Sequence, residues 1–267
     1  MLTEQSAEAG LNFLTPAIFE LAKRRVAAGT GTVESFRLMR NMLGSQPMCF
    51  NLFGELALDY ELATRLVRIL WGEHIARVTG VHIEWAPAPA AEYLDDRTAF
   101  DAFIEYKTQD DRAGFIGIET KLSEPFSLRR YDQPAYRRWM TPDGPWRADA
   151  NDEVAKREHN QLWRDHLLSW SLLRHPKSKY EVGGLSVVYH PEDRRCRDVI
   201  AGYRALLRDE TTFASFDLAQ VVAAWKPLVG RWISRFEQRY LSLEMSSELD
   251  REIKAVPGTR KPLDPPQ

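Results

Sequence analysis

The sequence has almost no cysteine. Cys49 and Cys196 are the two in 267 residues, and neither stands in a C-x-x-C pair. Two cysteines cannot build a structural zinc site by themselves, and a chain this poor in them suits a reducing, cytoplasmic setting. It also lacks a surplus of charge of one sign. Thirty-six Lys and Arg against 38 Asp and Glu leave a formal charge of −2, so no global field draws the chain onto nucleic acid, and any phosphate contact must come from local basic patches. No apolar run approaches the roughly 18 residues of a membrane span, so no membrane partner is expected. Residues 1–10 lack a basic region followed by an apolar run, and a signal peptide is not expected. G-x-S-x-G, a Walker-type glycine loop and internal repeats are missing too. What is there is ordinary for a globular chain. With 44% hydrophobic and 28% charged residues, the length suits one large domain or a core domain with additions.

Against that background one stretch stands out. Residues 100–106 and 115–121 are short apolar segments joined by a polar loop over 107–114, and each carries an acid where a buried strand would favour an apolar side chain. Asp101 opens the first segment. Glu119 lies near the end of the second, with Lys121 two residues on. Residues two apart on a strand share a face, so Glu119 and Lys121 project together on the side of Phe115 and Gly117, while Ile116, Ile118 and Thr120 line the other. If the segments pair as a hairpin, Asp101 comes beside Glu119. A solvated strand would alternate polar residues throughout, whereas this one is apolar until the acid.

This arrangement resembles the active site of the PD-(D/E)XK nuclease superfamily, in which an acid on one strand is followed by E-x-K on the next. Asp101 matches the first acid and Glu119-Thr120-Lys121 the E-x-K, with Phe100 where a proline often stands. The resemblance extends from about residue 46 to the helix containing Gln161. It implies an α/β fold with a restriction-endonuclease-like core, a central mixed β-sheet flanked by helices. It also implies a Mg2+-dependent nuclease acting on DNA, with Mn2+ able to substitute. Asp101, Glu119 and the Thr120 carbonyl would hold the metal, and Lys121 would orient the attacking water or stabilise the phosphorane charge. A nuclease fold retained as a catalytically inactive binding or interaction module is the alternative, and other metal-assisted chemistry is a third reading. Homodimerisation or a partner protein is left open.

The remaining elements follow from periodicity and punctuation. Thr15 as N-cap and Pro16 at the first helical position start a helix, and a short one is expected over 33–43. Residues 45–54 read as an apolar loop. Leu56, Leu62, Leu66, Ile69 and Leu70 recur at helical spacing, predicting one helix over 55–78. Glu55 begins it, either as a further metal ligand or as an acid facing the helix dipole. Strands are expected at 81–86, stopped by the proline-rich run 86–91, at 183–190 and at 213–218. Helices are expected from 151 or 152 to 173, over 192–208, and over 219–243 with a break near Pro227. This divides the chain into an N-terminal helical extension over 1–45, a nuclease-like domain over 46–243 and a flexible tail over 244–267.

Residues 123–151 are irregular and rich in interleaved arginines and aromatics. Arg129, Arg130, Arg137, Arg138 and Arg147 alternate with Tyr131, Tyr136, Trp139 and Trp146. Arginines neutralise phosphates and flat rings stack on unpaired bases, so Arg129, Arg130, Arg137 and Arg138 are candidates for DNA contact; the alternative is a solvated loop whose rings pack on the body. Gln161 and Arg164 on the following helix are candidates as well, since some families of the superfamily place a glutamine there to hold the site or substrate. His159 and His166 lie seven apart on the expected helix, but without a matching acid the sequence predicts no zinc site there.

Overall fold

The structure is a computed structural model that describes residues 1–29 and 34–242. Ten helices and five strands follow in the order α1 (Glu4–Glu8), α2 (Pro16–Ala27), α3 (Ser35–Arg40), α4 (Ser45–Leu58), α5 (Tyr60–Trp71), β1 (Ile75–Trp85), β2 (Phe100–Thr108), β3 (Ala113–Lys121), α6 (Pro134–Arg137), α7 (Asn160–Arg174), β4 (Val182–Tyr189), α8 (Arg194–Arg204), β5 (Phe213–Asp217), α9 (Leu218–Trp225) and α10 (Gly230–Tyr240) among the described residues. The strands form one sheet in the order β1-β2-β3-β4-β5. β1, β2 and β3 are an antiparallel meander, and β4 and β5 run parallel to β3. The parallel connections require crossovers, which α7 and α8 provide. This is a mixed sheet flanked by helices, an α/β fold consistent with a restriction-endonuclease-like core.

The period of two along β3 sorts its side chains between two cores. Ile116 and Ile118 enter a cluster with Phe50, Phe53, Leu66 and Trp225, while Phe115 joins Phe103, Leu162, Trp163 and Leu185 on the other face. Gly117 is small for a reason: a Cβ there would lie 2.5 Å from the Phe100 ring. Phe100 therefore lies across β3 where β2 begins. Phe13, Leu14, Ile18, Ala22 and Leu38 belong to the first cluster, so residues before 45 contribute to the same core as the sheet. The tail over 244–267 lies outside the described residues.

Three expectations are corrected. Residues 45–54 are helical rather than a loop, because α4 is buried on nearly every side and so shows no amphipathic period; Pro47 sits in its first turn, where its missing N–H costs nothing. The single helix expected over 55–78 is the end of α4, then α5, then the start of β1. Asp59 makes the break by ending α4 and capping α5, its Oδ1 accepting from the Leu62 amide at 2.9 Å. Gly80 lies inside β1 beside a register shift. Finally, α7 starts at Asn160 instead of 151 or 152, with 151–159 folded as turns. No helix among the described residues is long and apolar enough to cross a membrane.

Candidate active site

The β2–β3 register pairs Ala102 with Ile118, which puts Asp101 one step further, level with Glu119. Thr120 fixes it there: its amide and its hydroxyl both donate to Asp101 Oδ2, each at 2.7 Å. Glu119 Oε1 accepts from Lys121 Nζ at 2.9 Å and from Gln161 Nε2 at 2.6 Å. Gln161 Oε1 in turn accepts from Lys121 Nζ at 3.3 Å and from the Ser127 amide at 2.9 Å. Lys121 also lies 4.9 Å over the Phe126 ring. The hairpin thus brings Asp101, Glu119 and Lys121 together, and α7 adds Gln161. All four line one cleft of about 430 Å³.

Two acids in this cleft escape the sequence reading. Glu84, near the end of β1, is 3% exposed and accepts from Gln46 Nε2 at 2.6 Å. Its backbone has φ +57°, a costly conformation for a residue with a Cβ. Arg25 of α2 grips that backbone by donating to the carbonyls of Ile83 and Glu84. Asp165 of α7 is 4% exposed, and its Oδ2 has no hydrogen-bond partner. Signals for both exist in retrospect. Glu84 is an isolated acid among apolar strand residues, as Glu119 is. Gln161, Arg164 and Asp165 stand at i, i+3 and i+4, one face of a helix.

The electrostatics are those of excess negative charge held in a small volume. Burial, then the Glu119 and Glu84 carboxylates, push the Asp101 carboxyl well above the usual range, against the opposing pull of Thr120 and Lys121. Burial and Glu119 do the same to Asp165, against Arg164 and Lys121. Burial works against the Lys121 charge, but Glu119, Asp101 and Asp165 outweigh it and raise the ammonium above the ordinary lysine range. Hard oxygen donors, an orphaned carboxylate oxygen and raised carboxyls fit a hard divalent cation, which would supply the missing positive charge.

Glu55 is not brought here. It sits in the last turns of α4, not at a helix start, accepts from Thr15 Oγ1 at 2.7 Å, and does not line the cleft. The arginine-rich segment divides. Arg129 lines the cleft and is exposed, as does Arg97, which the sequence reading passed over. Arg130 is exposed with Asp132 at 3.9 Å. Arg137 clamps Asp132 through two nitrogens, donates to the Asn151 carbonyl and covers the Trp163 ring. Arg138 donates to the carbonyls of Ala91 and Tyr93. Arg164 bonds Asp96 and Thr98 and stacks 4.6 Å from the Tyr131 ring centre. Tyr136 and Trp146 are buried, so neither is a stacking platform. The packed-loop alternative holds for this part of the segment.

His166 is buried between Tyr203 Oη at 3.0 Å and Thr212 Oγ1 at 2.9 Å, and burial depresses it to about 3. His159, by contrast, does have acids near it. Among the described residues, Glu153, Glu158 and His159 are the His/Cys/Asp/Glu trio whose ligating atoms lie within 4.8 Å of one another.

Comparison with known proteins agrees with the geometry at the level of family. The family model that matches describes the PD-(D/E)XK nuclease superfamily and covers residues 1–242. No curated protein and no solved structure matches the chain.

Proposed function

The chain belongs to the PD-(D/E)XK nuclease superfamily, and on that premise we propose that its cleft hydrolyses phosphodiester bonds in DNA with magnesium held by Asp101 and Glu119. The observation that carries this is the convergence of Asp101, Glu119 and Lys121 at one end of the hairpin, with Glu84 and the unpartnered Asp165 oxygen in the same cleft. When bound, magnesium supplies Lewis-acid charge that offsets the negative charge growing on the phosphoryl oxygens, and manganese can do the same. Glu84 is a further carboxylate lining the cleft, and the Thr120 carbonyl, on the residue hydrogen-bonded to Asp101, is a further candidate oxygen.

The protein's own groups do the rest. Thr120 keeps Asp101 Oδ2 oriented through two hydrogen bonds, leaving Oδ1 for the ion. Lys121, charged throughout the neutral range, holds the attacking water by hydrogen bond and faces the developing phosphorane. Gln161 spans Glu119 and Lys121 and so fixes their spacing, a positioning role rather than a DNA contact. Arg97 and Arg129, exposed at the cleft, grip flanking phosphates; Arg130 lies next to them. Arg137, Arg138 and Arg164 build the wall that supports them.

Plasmid, linear and single-stranded DNA, each incubated with magnesium, with manganese and with EDTA, test the proposal. Cleavage of at least one substrate that EDTA abolishes is expected. Binding without cleavage of any of them under either metal would favour the inactive-module reading.

A further inference from the structure

We infer that Glu153, Glu158 and His159 form a second cation site, apart from the cleft, suited to zinc. Consecutive turns create it. The Lys156 amide donates to the Glu153 carbonyl and the His159 amide to the Lys156 carbonyl, each at 3.1 Å. These turns fold two acids, which the sequence leaves apart, against the imidazole, with one ligating atom of each residue within 4.8 Å of the others. The second observation is the state of the histidine. His159 is 7% exposed, yet its Nδ1 has no hydrogen-bond partner. Buried ring nitrogens are ordinarily engaged, and an imidazole that has an unused nitrogen and reaches two carboxylates is a ligand set that a cation completes. The ring also packs close to α8: its Nε2 lies 3.0 Å from where a Cβ on Gly202 would stand, so a larger residue there would push it aside.

The donors choose the metal. One imidazole nitrogen and two carboxylate oxygens disfavour magnesium and calcium, which prefer all-oxygen shells. Zinc accepts three such ligands and leaves a fourth position for water. Without the cation, the exposed Lys156 ammonium pairs with Glu153 and supplies the positive charge that zinc would replace.

The position gives the site a consequence. His159 is the N-cap of α7 and makes no side-chain cap bond. Asn160, next in sequence, ties the segment after β3 to this turn: its Oδ1 accepts from the Tyr131 amide at 3.0 Å and its Nδ2 donates to the Tyr131 carbonyl at 2.9 Å. Gln161 follows, bridging Glu119 and Lys121. Zinc at His159 would stiffen the turn from which both side chains are hung.

The test uses the full chain carrying Asp101→Asn and Glu119→Gln, which removes two of the four cleft carboxylates as competitors, with zinc chloride alone as probe. Calorimetric titration is expected to show a single zinc per chain, with a melting temperature raised by about 5 °C at a hundredfold excess over Kd. Adding Glu158→Gln, a surface change that leaves the core untouched, is expected to weaken zinc binding by about tenfold or more. Glu153→Gln and His159→Gln are expected to do likewise. Absence of zinc binding, or binding equally tight after Glu158→Gln and Glu153→Gln, would overturn the inference. Neither outcome depends on whether the cleft cleaves DNA.

Discussion

The β2–β3 hairpin and the segment over 127–147 both carry conspicuous charge, and they use it in opposite ways. At the Asp101 end of the hairpin three charges, Asp101, Glu119 and Lys121, meet in one cleft, and Glu119 and Lys121 are 6% and 7% exposed. In the segment the charges are many and mostly exposed, and several are consumed in holding the segment to the body, as Arg137 is on Asp132 and Arg138 on Tyr93. A buried charge that is not fully balanced costs free energy that folding alone gives no reason to bear. An arginine on a surface loop costs nothing and finds whatever carbonyl is near. Isolated acids in apolar strands are therefore the stronger functional signal, and density of charge is the weaker one.

The largest expected effect separates the two regions outright. Asp101→Asn or Glu119→Gln should reduce magnesium-dependent cleavage by about a hundredfold or more, and Lys121→Ala should lose cleavage while still binding metal. Arg137→Ala with Arg138→Ala should leave the cleavage rate within a few fold and lower the melting temperature instead. Single-turnover rates and thermal melts on the same preparations distinguish these outcomes.

Stability against pH sharpens the comparison next. The Asp101 and Asp165 carboxyls are raised in the folded chain, so the folded state holds protons that the unfolded state releases near pH ~4. Their contribution is fully present below that value and is lost as pH rises through the folded-state values. The contribution of this pair should thus fall from about pH 4 towards neutrality, against the opposite trend from His166, whose depressed value makes its own contribution grow as pH rises over that range. Asp101→Asn, which keeps an acceptor for Thr120, should flatten that fall and stabilise the metal-free chain at neutral pH. A pH dependence of the melting temperature that is the same for Asp101→Asn and the parent would contradict the assignment.

How far the sequence discloses the molecule follows the same division. Asp101, Glu119 and Lys121 are legible because period-two alternation fixes which side chains share a face, and the hairpin register needs only a short loop. The mixed sheet is legible from strands separated by helices. Glu84 and Asp165 carry only local signals, an isolated acid in a strand and a polar helix face, and their approach to the site depends on how β1 and α7 are placed against β3, which is tertiary information. The α4 boundary is hidden for a different reason: a helix buried all round has no amphipathic period. The clamps on Arg137 and Arg138 depend on backbone carbonyls, which are the same in every residue and leave no trace in composition.

Smaller effects test the edges of the comparison. Arg97→Ala with Arg129→Ala should weaken DNA binding, measured in calcium, and flatten its salt dependence by about 0.9 per lost phosphate contact; the Arg137 and Arg138 pair should leave that slope unchanged. Glu55→Gln should matter least. Its partner is Thr15, so the metal requirement should not move, and stability should fall by no more than roughly 1 kcal/mol.

The most direct test of the central claim, that the buried hairpin acids are there to hold a cation, is the thermal stability of the chain at neutral pH with and without magnesium, for the parent and for the Asp101→Asn, Glu119→Gln double variant. Magnesium should raise the melting temperature of the parent and leave that of the variant unmoved. An equal rise in both, or no rise in the parent at saturating magnesium, would contradict it.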